Sequence, residues 1–158
     1  MEQDYDLNDY DDPPPDNDHS RANAPLPSVR AGLEQLIAAG VPPAKLVVGL
    51  PWYGYIYKVD LHGKVLDNDQ RPYGLIQELL GNSSWESRWD AASQSPFLVD
   101  TSAARGWREV WYDNPKSLRM KVAMAKTLGV KNFGMWTADS LNYSRPRAEW
   151  MEFWDALG

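Results

Sequence analysis

Two groups of residues could do chemistry: aromatic rings at the ends of apolar runs, and acids crowded near the start of the chain. Trp136 closes the short strand expected over 130–136 and is followed by the polar residues Thr137 and Asp139. Trp52, Tyr53 and Tyr55 lie in Pro51-Trp-Tyr-Gly-Tyr-Ile-Tyr57, directly after the run Lys45-Leu-Val-Val-Gly-Leu50. A ring with a flat apolar face and a polar tip suits a partly exposed site, and a pyranose presents matching C–H faces and hydroxyls. The same rings fill cores, so each has two readings. For each they are contact with a ligand at a partly exposed site or packing in the core.

The acids are one-sided. Glu2, Asp4, Asp6, Asp9, Asp11, Asp12, Asp16 and Asp18 stand within residues 2–18 with no Lys or Arg among them, so the net charge of −6 is concentrated there. Asp4-Tyr-Asp-Leu-Asn8 opens like a calcium loop, but Asp9 occupies the position that needs glycine and Pro15 the position that needs a bidentate glutamate. The chain has no cysteine, which removes a disulfide framework, a thiolate metal site and a cysteine nucleophile. Its two histidines, His19 and His62, fall in polar loops without a serine motif and are expected as solvated surface residues rather than members of a triad. No metal and no cofactor is expected.

Outside the acidic segment the charge is near neutral and forms no Lys/Arg stripe, so neither nucleic acid nor an anionic membrane surface is an expected partner. No apolar run approaches the roughly 20 residues of a membrane span. The acidic start has neither the basic nor the apolar region of a signal peptide, and the sequence leaves the compartment open.

These residues need elements to position them, and 158 residues with 43% hydrophobic content suffice for one globular domain or a part of one. Val29, Leu33, Leu36 and Ile37 share a helical face over 28–39, with Ser28 placed to cap the start and Gly40 to end it. Pro42 and Pro43 stop that helix, and 45–50 reads as a strand buried on both faces. Its aromatic successors therefore sit at a strand's carboxyl end, where sites in parallel α/β folds lie.

Residues 58–106 lose periodicity apart from a helix expected over 73–80, and read as an inserted subdomain of mixed structure. A strand over 108–113 follows. Asn114 and Pro115 then make an N-cap with proline in the first helical position, which assigns Asp113 and Asn114 to capping. That helix should reach about Leu128 and end at Gly129, before a strand over 130–136. A last helix, capped near Ser144 with Pro146 in its first turn, places Trp150, Phe153, Trp154 and Leu157 at core spacing. Alternating strands and helices imply an α/β fold with right-handed crossovers between parallel strands, but too few units to close a barrel.

Three segments, Gly49-Leu-Pro-Trp-Tyr-Gly-Tyr55, Val110-Trp-Tyr-Asp-Asn-Pro115 and Gly134-Met-Trp-Thr-Ala-Asp139, resemble family 18 glycoside hydrolases, in particular the di-N-acetylchitobiase branch. Ala22-Asn-Ala-Pro25 and Asn142-Tyr-Ser144 extend the resemblance from about Ala22 to the C-terminus. It implies about the last three β/α units of a (β/α)8 TIM barrel with an α+β insertion before the eighth strand. The whole chain, 1–158, would then be a single incomplete domain that includes an acidic segment (1–21) and an insertion (58–106). The branch's cysteines are absent, and the insertion is shorter than the branch's.

The family's DxxDxDxE signature, whose last Glu protonates the leaving oxygen, occurs nowhere in the sequence. The family's chemistry is substrate-assisted: the N-acetyl oxygen of the sugar attacks its own anomeric carbon, so no second carboxylate nucleophile is needed. The resemblance implies that Tyr5 and Asp6 orient that acetamide, with Gln3 in place of the family's methionine and Tyr10-Asp11 offering a competing register. It implies that Trp136 floors a sugar subsite, that Tyr53 and Tyr55 line the cleft, and that Trp52 lines it or packs below. The expected ligands are N-acetylglucosamine oligosaccharides or chitin-type glycans, and a lysosomal or extracellular setting follows from the resemblance alone. Two functions remain in view: part of a glycosidase whose acid comes from a missing N-terminal barrel half, and a noncatalytic glycan-binding remnant.

Overall fold

The structure, a computed structural model, describes residues 19–102 and 106–158. Its first helix, α1 (Leu26–Ala38), starts two residues earlier than the spacing suggests. Pro25 takes the cap position without a side-chain hydrogen bond, and Ser28 lies inside the first turn, its N–H donating to the Pro25 carbonyl. Pro25 at the cap and Pro27 in the first turn pre-set the backbone, so a hydroxyl cap is dispensable. Gly40, at φ +94°, ends the helix as expected.

After a 3-10 turn (Pro43–Lys45), β1 (Val47–Pro51) pairs in parallel with β7 (Asn132–Trp136), from Val47 opposite Asn132 to Pro51 opposite Trp136. Val48 and Leu50 are buried while Val47 is 64% exposed, so β1 is covered on one face here rather than on both.

The remaining strands form one antiparallel sheet: β2 (Tyr53–Val59), β3 (Val65–Pro72), β4 (Glu86–Asp90), β5 (Ser95–Asp100) and β6 (Trp107–Trp111), in the order β3-β2-β6-β5-β4. This corrects the reading of β6. It was expected among parallel strands alternating with helices, but it runs antiparallel to both β2 and β5. A five-residue strand carries no direction in its own sequence; its neighbours set it. The ordered strands of this sheet therefore reach from Tyr53 to Trp111, beyond the 58–106 expected for the insertion. Among the described residues the parallel part consists of β1 and β7.

Two glycines let the sheet close. A Cβ on Gly54 would lie 2.4 Å from the Trp111 carbonyl oxygen, and one on Gly106, at φ +134°, would lie 1.9 Å from that of Val59. Both are close approaches that only glycine permits.

Helix α2 (Tyr73–Leu80) matches the expected span. Helix α3 (Pro115–Thr127) begins with a capping box: Asn114 accepts from the Ser117 N–H at 3.0 Å, and the Asn114 N–H donates to Ser117 Oγ at 3.0 Å. Asp113 adds a buried anchor, accepting from Lys121 Nζ at 2.5 and 2.6 Å and from Ser117 Oγ at 2.5 Å. Helix α4 (Arg147–Asp155) has Pro146, not Ser144, at its cap.

One core cluster lies between the parallel pair, the helices and the inner face of the five-stranded sheet; Leu50, Trp52, Ile76, Leu98, Val110, Leu118, Val130 and Phe153 are almost fully buried in it. Of the last helix's expected core residues, Phe153 is buried and Trp150, Trp154 and Leu157 are half-buried against it. A smaller cluster of Ala22, Tyr57, Val59, Val65 and Trp111 occupies the sheet's other face.

Candidate glycan site at the strand exit

The carboxyl ends of β1 and β7 bring two segments of distant sequence together. Pro51 is the register partner of Trp136, and the Trp52 N–H donates to the Trp136 carbonyl at 2.8 Å. From this joint the chain runs on one side into β2 and on the other into the loop after β7. The Trp136 side chain is 65% exposed, so its indole face is open to a ligand. The Trp136–Thr137 peptide is cis. The following loop is held by its own polar groups: Thr137 Oγ donates to Asp139, and Tyr143 Oη donates to the Ala138 carbonyl at 2.7 Å.

Trp52, one residue beyond Pro51, has the opposite fate. It is 0% exposed, with its ring edge-on to Trp154 at 4.9 Å and to Phe153 at 5.7 Å, and its indole N–H has no acceptor among the described residues. Of its two readings the structure selects packing beneath the surface, which takes Trp52 out of the wall a sugar would touch. Trp52 sits at the bend between β1 and β2, and its ring turns into the main core cluster.

Tyr53 and Tyr55 share a face of β2 with Tyr57. Their rings succeed one another with centroids 6.0 and 6.3 Å apart. Tyr53 is largely buried and Tyr55 half-buried, and the Tyr53 carbonyl accepts from Asn23 Nδ2 at 3.0 Å. Burial pushes the Tyr57 hydroxyl up to about 12, so it stays a neutral donor at physiological pH. Tyr5 and Asp6 lie outside the described residues. His19 and His62 are exposed.

The structure adds a group that the residue-by-residue reading missed. Across the same sheet face, Tyr55 pairs with Trp111, Tyr57 with Glu109 and Val59 with Trp107. Phe97 stacks on Trp111 with ring centroids 4.4 Å apart and the rings nearly parallel. The Glu109 carboxylate accepts from Trp107 Nε1 at 2.7 Å, from Trp111 Nε1 at 2.9 Å and from Ser20 Oγ. The signal was present: Tyr53-x-Tyr55-x-Tyr57 and Trp107-x-Glu109-x-Trp111 both alternate with period two, the mark of residues sharing one face of a sheet.

Chemically, this arrangement is suited to binding. Three carboxylates on the elements that meet here are committed: Asp113 to Lys121, Asp139 to Thr137, and Glu109 to two indoles and a hydroxyl. No group of three His, Cys, Asp or Glu suited to a metal ion occurs among the described residues, and no described helix is long and apolar enough to cross a membrane.

The sequence matches the family model described as "Glycosyl hydrolases family 18" over residues 3–140. The chain belongs to glycosyl hydrolase family 18. It is similar to the di-N-acetylchitobiase of Mus musculus, 35% identical over 156 residues that cover 86% of this chain and 43% of that protein. It is likewise similar to the Homo sapiens di-N-acetylchitobiase, 30% identical with 86% and 40% covered. The chain thus spans less than half the length of these family 18 relatives.

Among solved structures it resembles a chitinase from Chromobacterium violaceum, with a TM-score of 0.75, 22% identity, and 94% of this chain and 44% of that one covered. It also resembles the Cycas revoluta chitinase solved in complex with (GlcNAc)3, with a TM-score of 0.72, 21% identity, and 90% and 43% covered. A third likeness is to a chitinase-like agglutinin from Robinia pseudoacacia, with a TM-score of 0.69, 24% identity, and 90% and 43% covered. At these identities the likeness establishes the fold of the matched part.

Proposed function

We propose that this chain is the glycan-binding C-terminal part of a family 18 glycosidase, with N-acetylglucosamine oligosaccharides or chitin-type glycans as ligands. The observation that carries the reading is the open indole of Trp136 at the joint of β1 and β7, 65% exposed in a chain whose neighbouring Trp52 is fully buried. An indole face packs well against a pyranose, and the half-buried Tyr55 of β2 offers a further ring edge. The (GlcNAc)3 complex of the Cycas revoluta chitinase supports the ligand class.

In this reading, cleavage of β-1,4-N-acetylglucosaminide bonds requires a general acid from a DxxDxDxE strand, which these 158 residues do not contain. Tyr5 and Asp6 would orient the acetamide whose oxygen attacks the anomeric carbon, and the acid would protonate the departing oxygen. The parallel pair supports completion by further strands: among the described residues neither outer edge of β1 or β7 is paired, and one face is bare at Val47. The upstream half of a TIM barrel would supply strands to those edges.

A second reading, a noncatalytic glycan-binding protein, is favoured by the likeness to the Robinia pseudoacacia agglutinin and by the commitment of Asp113, Asp139 and Glu109 to internal partners. One experiment tests the binding that both readings require. Intrinsic tryptophan fluorescence is titrated with N-acetylglucosamine oligomers while release of reducing sugar is followed. Saturable binding without release is expected for the chain by itself. Release would assign it an acid of its own, and absence of binding would remove both readings.

A further inference from the structure

The segment before α1 is fastened to the five-stranded sheet at successive points. Ser20 Oγ donates to Glu109, Ala22 is buried among Tyr57, Val59, Val65 and Trp111, Asn23 Nδ2 donates to the Tyr53 carbonyl, and the Leu26 N–H donates to the Ser93 carbonyl at 2.9 Å. Glu109 is the polar centre of this seam. It stands on the strand between two tryptophans that point to the same face, and it takes both indole N–H groups and the serine hydroxyl on its two oxygens. Packing alone would be served at least as well by an apolar side chain between two indoles, since half-burying a carboxylate costs free energy unless it is fully hydrogen-bonded. A carboxylate is the side chain that accepts on both oxygens and donates on neither.

We propose that Glu109 is a positioning residue for glycan recognition: it locks the insertion sheet to the connector before α1 and so holds the Tyr53–Tyr55 edge in place next to the Pro51–Trp136 strand exit. The inference rests on the glycan-binding reading above. The five-stranded sheet is joined to the parallel pair directly through Trp52 at one end, and at the other only by way of residues 112–114 and α3. The Glu109 seam adds a third restraint, on the side that carries the tyrosine row. Its effect should grow with ligand length, because a sugar on Trp136 alone does not need the sheet held in register, whereas an oligomer reaching on toward the half-buried Tyr55 does.

The test uses the whole chain with Glu109→Gln, which keeps size and shape but turns an amide NH2 toward one indole N–H, and with Ser20→Ala, which removes only the connector's bond. Affinities for N-acetylglucosamine and for its tetramer are measured beside hydrogen exchange at the Leu26 amide. In E109Q the tetramer is expected to bind about tenfold more weakly, the worth of one or two hydrogen bonds, with the single sugar changed less than about twofold. Exchange at Leu26 should quicken while amides in α3 keep their protection, and S20A should shift both readouts in the same direction by less. Unchanged exchange at Leu26 would overturn the proposal, as would a parallel loss of both affinities, the pattern of general destabilisation. A wild-type chain that binds neither sugar would remove the glycan-binding reading itself, whereas a binding wild type with an unaltered E109Q would remove only Glu109's role.

Discussion

The two sheets of this chain differ in how completely they are satisfied. The five-stranded antiparallel sheet is covered on one face by the main core and on the other by the Tyr57–Trp111 cluster and the connector before α1. The two-stranded parallel pair buries Val48 and Leu50 on one face and leaves Val47 and Trp136 bare on the other, with neither outer edge paired among the described residues. Parallel sheets are ordinarily buried on both faces. The antiparallel sheet is thus the self-contained region, and the parallel pair is where, in the proposed function, further strands and the ligand would be received.

The comparison breaks most severely where the two regions are joined. Asp113 follows β6 and anchors α3 through Lys121, with both side chains essentially unexposed. Asp113→Ala is expected to cost about 3–5 kcal/mol, because it strands a buried ammonium. Chemical denaturation read by circular dichroism checks this. Trp52→Ala should destabilise by about 3–5 kcal/mol by emptying a core site against Phe153 and Trp154, measured in the same way.

A smaller effect separates the sheets by pH. Hydrogen bonds from Ser102, then Arg108, hold the Asp100 carboxyl down at about 2, although its burial opposes this. A lowered folded-state pKa gives stability that is fully present above the unfolded value near 4 and is lost as pH falls toward 2. Asp100→Asn should therefore flatten the fall in stability between about pH 4 and 2, read as acid midpoints from near-ultraviolet circular dichroism. At the other extreme, Val47→Ser should change stability by no more than about 0.5 kcal/mol, because the bare face of β1 lacks neighbours to lose. A cost of several times that would mean this face is already covered.

The sequence conveyed what is local. The apolar run behind β1, the span of α2 and the Asn114-Pro115 start of α3 follow from periodicity and capping chemistry, which depend on neighbours in the chain. What depends on distant partners was not readable in the same way. The direction of β6 is set by β2 and β5. The burial of Trp52 depends on Phe153 and Trp154, a hundred residues on. The start of α1 moved because backbone-fixing prolines outweighed a serine in cap position. The Glu109 seam shows as alternation on paper, but only the register of β2 against β6 makes it one face. Tyr5 and Asp6 fall outside the described residues, and their role stays a proposal drawn from the family resemblance.

The most direct test of the account is a fluorescence titration of the chain and its Trp136→Ala variant with an N-acetylglucosamine tetramer, with thermal unfolding run on the same samples. The variant is expected to keep its unfolding temperature and to bind more weakly by about 1–3 kcal/mol, the worth of a ring stacked on an indole, taking base–aromatic stacking as the guide. Binding that survives Trp136→Ala unchanged would contradict the site proposed at the strand exit.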